Sequence, residues 1–345
     1  MAQPTNTFDR YDLAAQGDDV REDLSNILYN VSPTEVPVTT NIGMTSTDNT
    51  FTEWEQDEIP TPVINAQIDG DDFSGDSQDD AVRLGNYCQI SRREFTISDR
   101  AEVVNKVGRR SEIGYKIALW GKALRRDVEV GITSRHAAAS GDATNAGYYA
   151  PIPTWIRTND QLGASGASAT LSDTSHGYPS TAGTPGTARG LTEAQILDAG
   201  HDVYSSSVGN PNALFLDTQV KQSLSNFLFG SDSNRIATQY QQQGMNPRGG
   251  VTVVGAVDVY VNDFQVIDIV PSRFIGLGGT ARDVLLLDTS YWDLSFLRPY
   301  NTKRIAKTGD SHKRMLLVDY TVRALAESAS ATIASITDAT AVTAG

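Results

Sequence analysis

Apolar positions along the 345-residue chain change their spacing several times, and each change marks an element. Val20, Leu24, Ile27, Leu28 and Val31 recur every three or four residues, which predicts a helix capped at Asp18 or Asp19 and stopped by Ser32-Pro33. Pro33, Pro37, Pro60 and Pro62 then keep the chain extended. From residue 51 to 87 many mutually repelling carboxylates stand among few apolar groups, so this stretch cannot bury itself and reads as a protruding arm that needs a partner. The clearest helix covers 111–134: Ile113, Ile117, Trp120, Leu124, Val128 and Ile132 form one stripe, Ser111 offers a cap, and Lys116, Lys122, Arg125 and Arg126 lie off the stripe. At 1.5 Å per residue its length is roughly 36 Å, longer than most globular helices, which points to a spine.

Residues 137–190 are rich in Gly, Ala, Ser and Thr and read as an inserted surface segment with little core of its own, broken by Trp155-Ile156. Regular structure resumes where Thr192 and Gln195 have capping-box spacing ahead of Ile196, Ala199 and Val203. Ala213 to Leu216 predicts a short buried strand, and Asp217 caps a helix carrying Val220, Leu224 and Phe227. Beyond Gly250 the period falls to two. Val257, Val259 and Val261 predict a strand turning at Asn262-Asp263 into a partner at 264–269. Strands follow at 284–287, at 292–297 and along Leu316, Val318, Tyr320, Val322 and Ala324. The tail after Glu327 holds one charge among Ala, Ser and Thr, and is expected to fray unless a neighbour orders it. Helices and strands are segregated rather than alternating, so the class is α+β.

The formal charge of −14 is unevenly placed. Residues 1–90 carry 18 acidic groups against Arg10, Arg21 and Arg83, while residues 91–345 carry 24 acidic and 25 basic groups. Residues 91–135 hold 11 basic groups against six acidic, and residues 298–314 hold Arg298, Lys303, Arg304, Lys307, Lys313 and Arg314 against Asp310. Either basic segment reads as a solvated face, a nucleic-acid patch without aromatic interleaving, or a surface that receives the acidic arm of another copy. An acidic chain is a poor binder of nucleic acid in free solution.

No run approaches the roughly 20 apolar residues of a membrane span, and the polar start has no signal-peptide core, so a protein made in the cytoplasm with no membrane partner is expected. Cys88 is the single cysteine and closes no internal disulfide. His136, His176, His201 and His312 stand in no ligand spacing. There is no phosphate-binding loop or nucleophile elbow, and Gly276-Leu277-Gly278-Gly279 lacks the third glycine of a dinucleotide fingerprint. Asp69, Asp71 and Asp72 approach a calcium loop, but Phe73 and Ser74 occupy positions that need an oxygen ligand and a glycine. A pair of carboxylates meeting in space, as in a glycosidase, stays open as an enzymatic reading. No cofactor or metal is expected.

Several ordered islands carry a resemblance. They include Arg21-Glu-Asp-Leu-Ser25, Ser32-Pro-Thr-Glu-Val-Pro37, Trp155-Ile-Arg-Thr-Asn159, Leu191-Thr-Glu-Ala194 and Asn210-Pro211. Further on come Asp258-Val-Tyr-Val-Asn-Asp-Phe264, Val270-Pro-Ser-Arg-Phe274, Tyr291-Trp292, Leu297-Arg-Pro299 and Lys307-Thr-Gly-Asp310. In order and spacing they resemble the major capsid proteins of tailed bacteriophages with the Hong Kong 97-type fold, and within them the SU10-like major head proteins.

The resemblance implies an N-terminal arm (1–50), an extended E-loop (51–98), a peripheral domain with the spine helix (99–135 and 285–327), an insertion (136–190), an axial domain (191–284) and a C-terminal tail (328–345). It implies a non-enzymatic shell protein of the virion, assembled in the bacterial host cytoplasm into hexamers and pentamers around double-stranded DNA that it does not read by sequence. Separate scaffolding and portal proteins are implied, with room for a cement protein. Some relatives weld their shells through an E-loop lysine; no lysine precedes Lys106, so non-covalent cohesion is expected. The candidate intersubunit contacts are Phe51, Trp54, Asp57, Glu58, Asp71 and Asp72 on the arm and loop, and Arg109, Arg110, Arg125 and Arg126 on the receiving body. On that expectation Arg125→Glu with Arg126→Glu impairs assembly more than folding. A nanocompartment shell enclosing protein cargo shares the fold and is the competing structural reading.

Overall fold

A computed structural model describes residues 34–60, 62–70, 72, 75, 80–106, 108–173, 176–206, 209–229, 258–262, 264–277 and 282–337. The helix expected near residues 20–31 and the strand position Val257 lie outside them. In chain order the elements are α1 (Pro37–Asn41), β1 (Gly43–Ser46), β2 (Phe51–Gln56), β3 (Val82–Tyr87), β4 (Gln89–Ser98), α2 (Asp99–Val103), α3 (Glu112–Thr133), α4 (Ile152–Trp155) and β5 (Asp160–Gln161). They continue with α5 (Glu193–Ser206), β6 (Ala213–Asp217), α6 (Thr218–Phe229), β7 (Val259–Val261), β8 (Val266–Ser272), β9 (Arg282–Leu287), β10 (Trp292–Ile305), β11 (Ser311–Ala324) and β12 (Ala331–Ile336).

The spine helix α3 runs for 22 residues from a Ser111 cap whose hydroxyl accepts from Gly114 N at 3.2 Å. Its stripe is buried only toward the C-terminal end. Leu124, Val128 and Ile132 are at most 1% exposed, whereas Ile113, Ile117 and Trp120 are half-buried. The helix packs on a four-stranded sheet of order β1-β10-β11-β4, in which β1 is parallel to β10 and the other pairs are antiparallel. Arg93 on β4 donates twice to Asp127 on α3, both at 2.6 Å, and its guanidinium lies 5.7 Å from the Trp120 ring centre. This bidentate geometry fixes the helix rotation more tightly than a point charge would.

The second sheet has six strands in the order β5-β12-β9-β6-β8-β7. Both faces are covered. Phe215, Leu285 and Leu287 point into the core shared with the spine helix, and Leu214, Leu216, Val284 and Leu286 point into a core beneath α5 and α6. Burial on both faces is why β6 and β9 read as unbroken apolar runs rather than alternating ones. The expected caps are present: Thr192 and Gln195 exchange hydrogen bonds at 3.1 and 3.3 Å, and Asp217 Oδ2 accepts from Gln219 N at 3.3 Å. The β7–β8 hairpin forms as expected, with Asn262 Oδ1 accepting from Phe264 N and Gln265 N.

Three expectations are corrected. First, residues 331–336 do not fray: all of β12 is buried between β5 and β9. Its small side chains suit a slot already walled on both sides, and Ser335 takes a left-handed φ of 61° at an irregularity in the pairing, donating to the carbonyls of Pro185 and Gly186. Second, the insertion is not a bare surface segment. Tyr149, Ala150, Ile152, Trp155 and Ile156 are at most 1% exposed, and Asn86 binds Ala150 through its N–H and its carbonyl while also donating to Val322 O. Third, the segment 51–98 divides. β4 is an integral strand of the four-stranded sheet, β2 and β3 pair with each other, and the described residues between Gln56 and Val82 are exposed. Likewise β9, placed partly with the peripheral segment 285–327, is wholly a strand of the six-stranded sheet.

The N-terminal arm is held by one buried carboxylate. Glu129 on α3 accepts from Val38 N and Thr39 N at 2.8 Å each and from the Thr39 hydroxyl at 2.5 Å, satisfying the start of α1. Burial pushes the Glu129 carboxyl upward, and these donors pull it back. Glu129→Ala leaves two buried N–H groups without partners and is expected to destabilise the folded chain by about 2–4 kcal/mol. A urea midpoint unchanged from that of the parent protein would refute this role.

Candidate assembly surfaces

Strands β2 and β3 form the root of a hairpin, and the described residues between them are exposed. Pairing runs from Phe51↔Tyr87 to Gln56↔Val82, so the chain leaves the body at Gln56 and returns at Val82. The root is firmly seated: Trp54 is 7% exposed with its ring 5.3 Å from that of Trp155, and the Phe51 ring lies tilted against Tyr87 at 4.6 Å between centres. The residues beyond it are solvated. Ile59, Val63, Ile64 and Ile68 are 91, 76, 100 and 79% exposed, and Asp57, Glu58, Asp69, Asp72 and Asp80 are exposed beside them. Four apolar side chains this exposed and this close together are unusual on a solvated surface.

The basic body is more heterogeneous than its sequence. Arg109 pairs with Glu112 and lies 5.3 Å from the Tyr115 ring centre, while Arg110 and Lys122 are exposed. Arg125 is exposed with its guanidinium 5.7 Å from the Tyr300 ring centre, and Arg126 rests half-buried, 5.2 Å from the centre of the Phe274 ring. Of the ten expected contact residues, Asp57, Glu58, Asp72, Arg110 and Arg125 present themselves to solvent, and Asp71 lies outside the described residues. The expected outward roles of Trp54 and Phe51 are corrected, because their rings are packed against other rings of the same chain. Arg126 also has an internal role, since removing it uncovers Phe274. Ile68, exposed in the same polar stretch, carries no pattern that sequence reasoning could single out.

Three charged junctions hold these surfaces in place. At the N-terminal end of α3, Glu102 accepts from Ser111 Oγ at 2.7 Å, from Glu112 N at 2.9 Å and from Ile113 N at 3.3 Å; the Ser111 hydroxyl and these amides hold its carboxyl below the usual range. At the tip of the β10–β11 hairpin Asp99 meets Lys307 and, at 3.1 Å, His312; the Lys307 ammonium first, with His312, draws its carboxyl down. Beyond the C-terminal end of α3, Arg135 donates to Asp283 at 2.6 Å and to Asp160 at 3.4 Å, joining helix, insertion and six-stranded sheet. The Trp155–Asn159 island is a clamp on the entry into β12. Glu327 accepts from Arg157 N, Thr158 N and the Thr158 hydroxyl, and Asn159 Nδ2 donates to Ser328 O at 2.7 Å.

Catalytic features do not converge among the described residues. Among the described residues no group of three or more His, Cys, Asp or Glu side chains is arranged to hold a metal ion, and no helix is long and apolar enough to cross a membrane. Burial pushes the Cys88 thiol up to about 11, which leaves it protonated and unreactive at neutral pH.

A two-stranded hairpin, a half-covered spine helix and a body of two sheets now stand together. The sequence matches the family model for the SU10 major capsid protein over residues 3–337. The chain belongs to the SU10 major capsid protein family. That family is one of structural capsid proteins and not of enzymes. The major capsid protein of Escherichia phage Phieco32 is 28% identical over 130 residues, 37% of this chain and 36% of that protein, so the match spans about a third of this relative's length. Among solved structures, a chain of the cyanophage A-1(L) capsid superposes with a TM-score of 0.61 at 13% identity, covering 93% of this chain and 98% of the other. A chain from Mycobacterium phage Bobi gives 0.58 at 10% identity, covering 95 and 98%. A chain of the holo-SrpI encapsulin complex from Synechococcus elongatus gives 0.53 at 9% identity, covering 97 and 98%. These likenesses establish the fold, which is the Hong Kong 97-type capsid fold.

Among these junctions the buried Asp160 of the SU10-family chain responds to pH. Burial pushes its carboxyl up to about 6, with Arg135 opposing the rise. A carboxyl raised above its ordinary value stabilises the fold fully below pH ~4, and that contribution is lost as pH rises through about 6. Asp160→Asn removes this dependence. The stability of the variant relative to the parent should therefore climb between pH 4 and pH 7 by up to about 3 kcal/mol in urea unfolding. A flat difference would refute it.

Proposed function

We infer that many copies of this chain close into hexamers and pentamers of an icosahedral phage head enclosing double-stranded DNA, with the acidic hairpin of each copy laid on the basic body of the next. The observation that carries this reading is the family match over residues 3–337 joined to a solvated hairpin bearing four exposed Ile and Val side chains. Closed rings need one patch to meet a different patch on the neighbouring subunit. The −14 charge suits a container that holds DNA without gripping it.

Charge and apolar burial divide the work. An exposed ion pair contributes about 0–1 kcal/mol, so Asp57, Glu58 and Asp72 steer and register the hairpin. Fully covering an Ile or Val contributes about 1.5–3 kcal/mol, so Ile59, Val63, Ile64 and Ile68 supply cohesion. With no lysine before Lys106, that cohesion is non-covalent. The site of action is the virion, reached by assembly in the host cytoplasm with separate scaffolding and portal proteins and room for a cement protein.

A nanocompartment shell is the second reading, favoured by the likeness to the SrpI encapsulin chain. Electron microscopy of purified particles together with nuclease treatment separates the two: DNA protected until particles are opened supports the head, and protein cargo without DNA supports the compartment. Small soluble oligomers alone would overturn both.

Charge registration has its own test. Lys122→Glu with Arg125→Glu, both exposed on α3, should leave the unfolding midpoint within about 1 kcal/mol of the parent while cutting particle yield sharply. Normal particles from this double variant would sink the charge-register idea.

A further inference from the structure

The strand β12 leaves the six-stranded sheet beside a groove. Ser335 on β12 donates through its hydroxyl to Pro185 O at 2.7 Å and through its amide to Asp283 Oδ1 at 3.4 Å, and Thr337 N donates to Arg189 O at 2.9 Å. Ile336 stands opposite Arg282, so the chain passes Thr337 at the end of the sheet where β9 begins. Residues 338–345 lie outside the described residues.

The groove has a volume of about 230 Å³. Val130 and Arg135 wall it from α3 and the turn after it, Pro185 from the insertion, Phe274 and Leu277 from the segment after β8, and Asp283 from β9. Pro185 and Asp283 are the two residues that Ser335 grips, so β12 delivers the chain to the groove's margin. Leu277 is 64% exposed and Val130 is half-buried, which leaves apolar surface uncovered there.

The polar groups define what suits it. Arg135 uses Nε on Asp283 and Nη2 on Asp160, while its buried Nη1 has no acceptor among the described residues. A buried N–H in this state costs free energy that an acceptor would recover. Two carboxylates already face this one guanidinium and would repel a third, so the group that fits is neutral: a backbone carbonyl with small apolar side chains around it. The acidic first quarter of the chain has the wrong charge, whereas Ala339-Thr-Ala-Val-Thr-Ala344 has none. In an extended chain Val342 comes about 17 Å beyond Thr337 and shares a face with Thr340. The small residues of β12 already fill a buried slot of the same kind.

We propose that residues 338–343 run on from β12 as a strap across this groove, with Val342 seated against Val130, Phe274 and Leu277 and a strap carbonyl accepting from Arg135 Nη1. The strap joins the six-stranded sheet to the C-terminal end of the spine helix within one copy. It goes beyond the assembly reading and does not depend on it.

The test uses the full chain carrying Cys88→Ser with Val130→Cys and Val342→Cys, oxidised mildly and followed by intact mass and on a non-reducing denaturing gel. Val103→Cys replaces Val130→Cys in the comparison; Val103 is 86% exposed beyond the far end of α3, with about 27 Å of helix between it and Val130. An intrachain disulfide at 130–342 forming at least about ten-fold faster than at 103–342 is expected, because docking raises the local concentration of one pair alone. In the parent chain the amides of residues 339–342 should exchange with deuterium at least about ten-fold more slowly than in Val342→Asp, which sets a carboxylate against Asp283 and the apolar walls. Equal disulfide rates, disulfides only between chains, or equal exchange in parent and Val342→Asp overturn the inference. Neither measurement reads particle formation, so a failure to form particles bears on the assembly reading alone.

Discussion

A 22-residue helix whose stripe is deeply buried only toward its C-terminal end has to be anchored by groups outside that stripe, and the rest of the chain is arranged to supply them. Glu102 caps its start, Arg93 grips Asp127 in its middle, Glu129 ties the N-terminal arm to its buried side, and Arg135 beyond its end reaches into the six-stranded sheet. Each anchor is charged because each must cross from the helix to a different segment with fixed geometry, which directed hydrogen bonds to charged groups provide and apolar packing does not. The incomplete burial that requires these anchors also leaves Ile117 half-covered beside β10.

The charge asymmetry takes on meaning in three dimensions. The acidic first quarter of the chain includes the hairpin, whose root is held by aromatic packing against Trp155, Tyr87 and Tyr178 and whose far part is solvated. The basic residues are not one uniform receiving face. Arg93, Arg109, Arg126 and Arg135 are engaged within the chain, and Arg110, Lys122 and Arg125 are presented outward. Rigid seating of the root matters for such an element, since an unanchored hairpin would lose on ordering what its apolar contacts contribute.

Several resemblance islands turn out to be clasps within one chain. Trp155 to Asn159 holds Glu327, Ser328 and the entry into β12; Lys307 to Asp310 is the hairpin turn that meets Asp99 and the start of α2. Such sites pair residues more than 150 positions apart, so neither partner shows its role in local sequence. Glu129, 91 and 90 positions from Val38 and Thr39, shows the same over a shorter separation. On a helical wheel it adjoins the apolar stripe and looks like a surface acid, and only the arrival of α1 makes it a buried acceptor.

Local patterning by itself determined the elements whose apolar spacing or caps are self-contained: the spine helix with its Ser111 cap, the Thr192 capping box, β6, the Asn262 hairpin and the inability of residues 57–81 to bury themselves. The family islands carried the fold class. Tertiary structure alone decided the rest. β12, the aromatic core of the insertion and the inward turn of Trp54 depend on which distant segment lies alongside, and a slot walled by other strands will bury Ala, Ser and Thr that no local pattern marks as core.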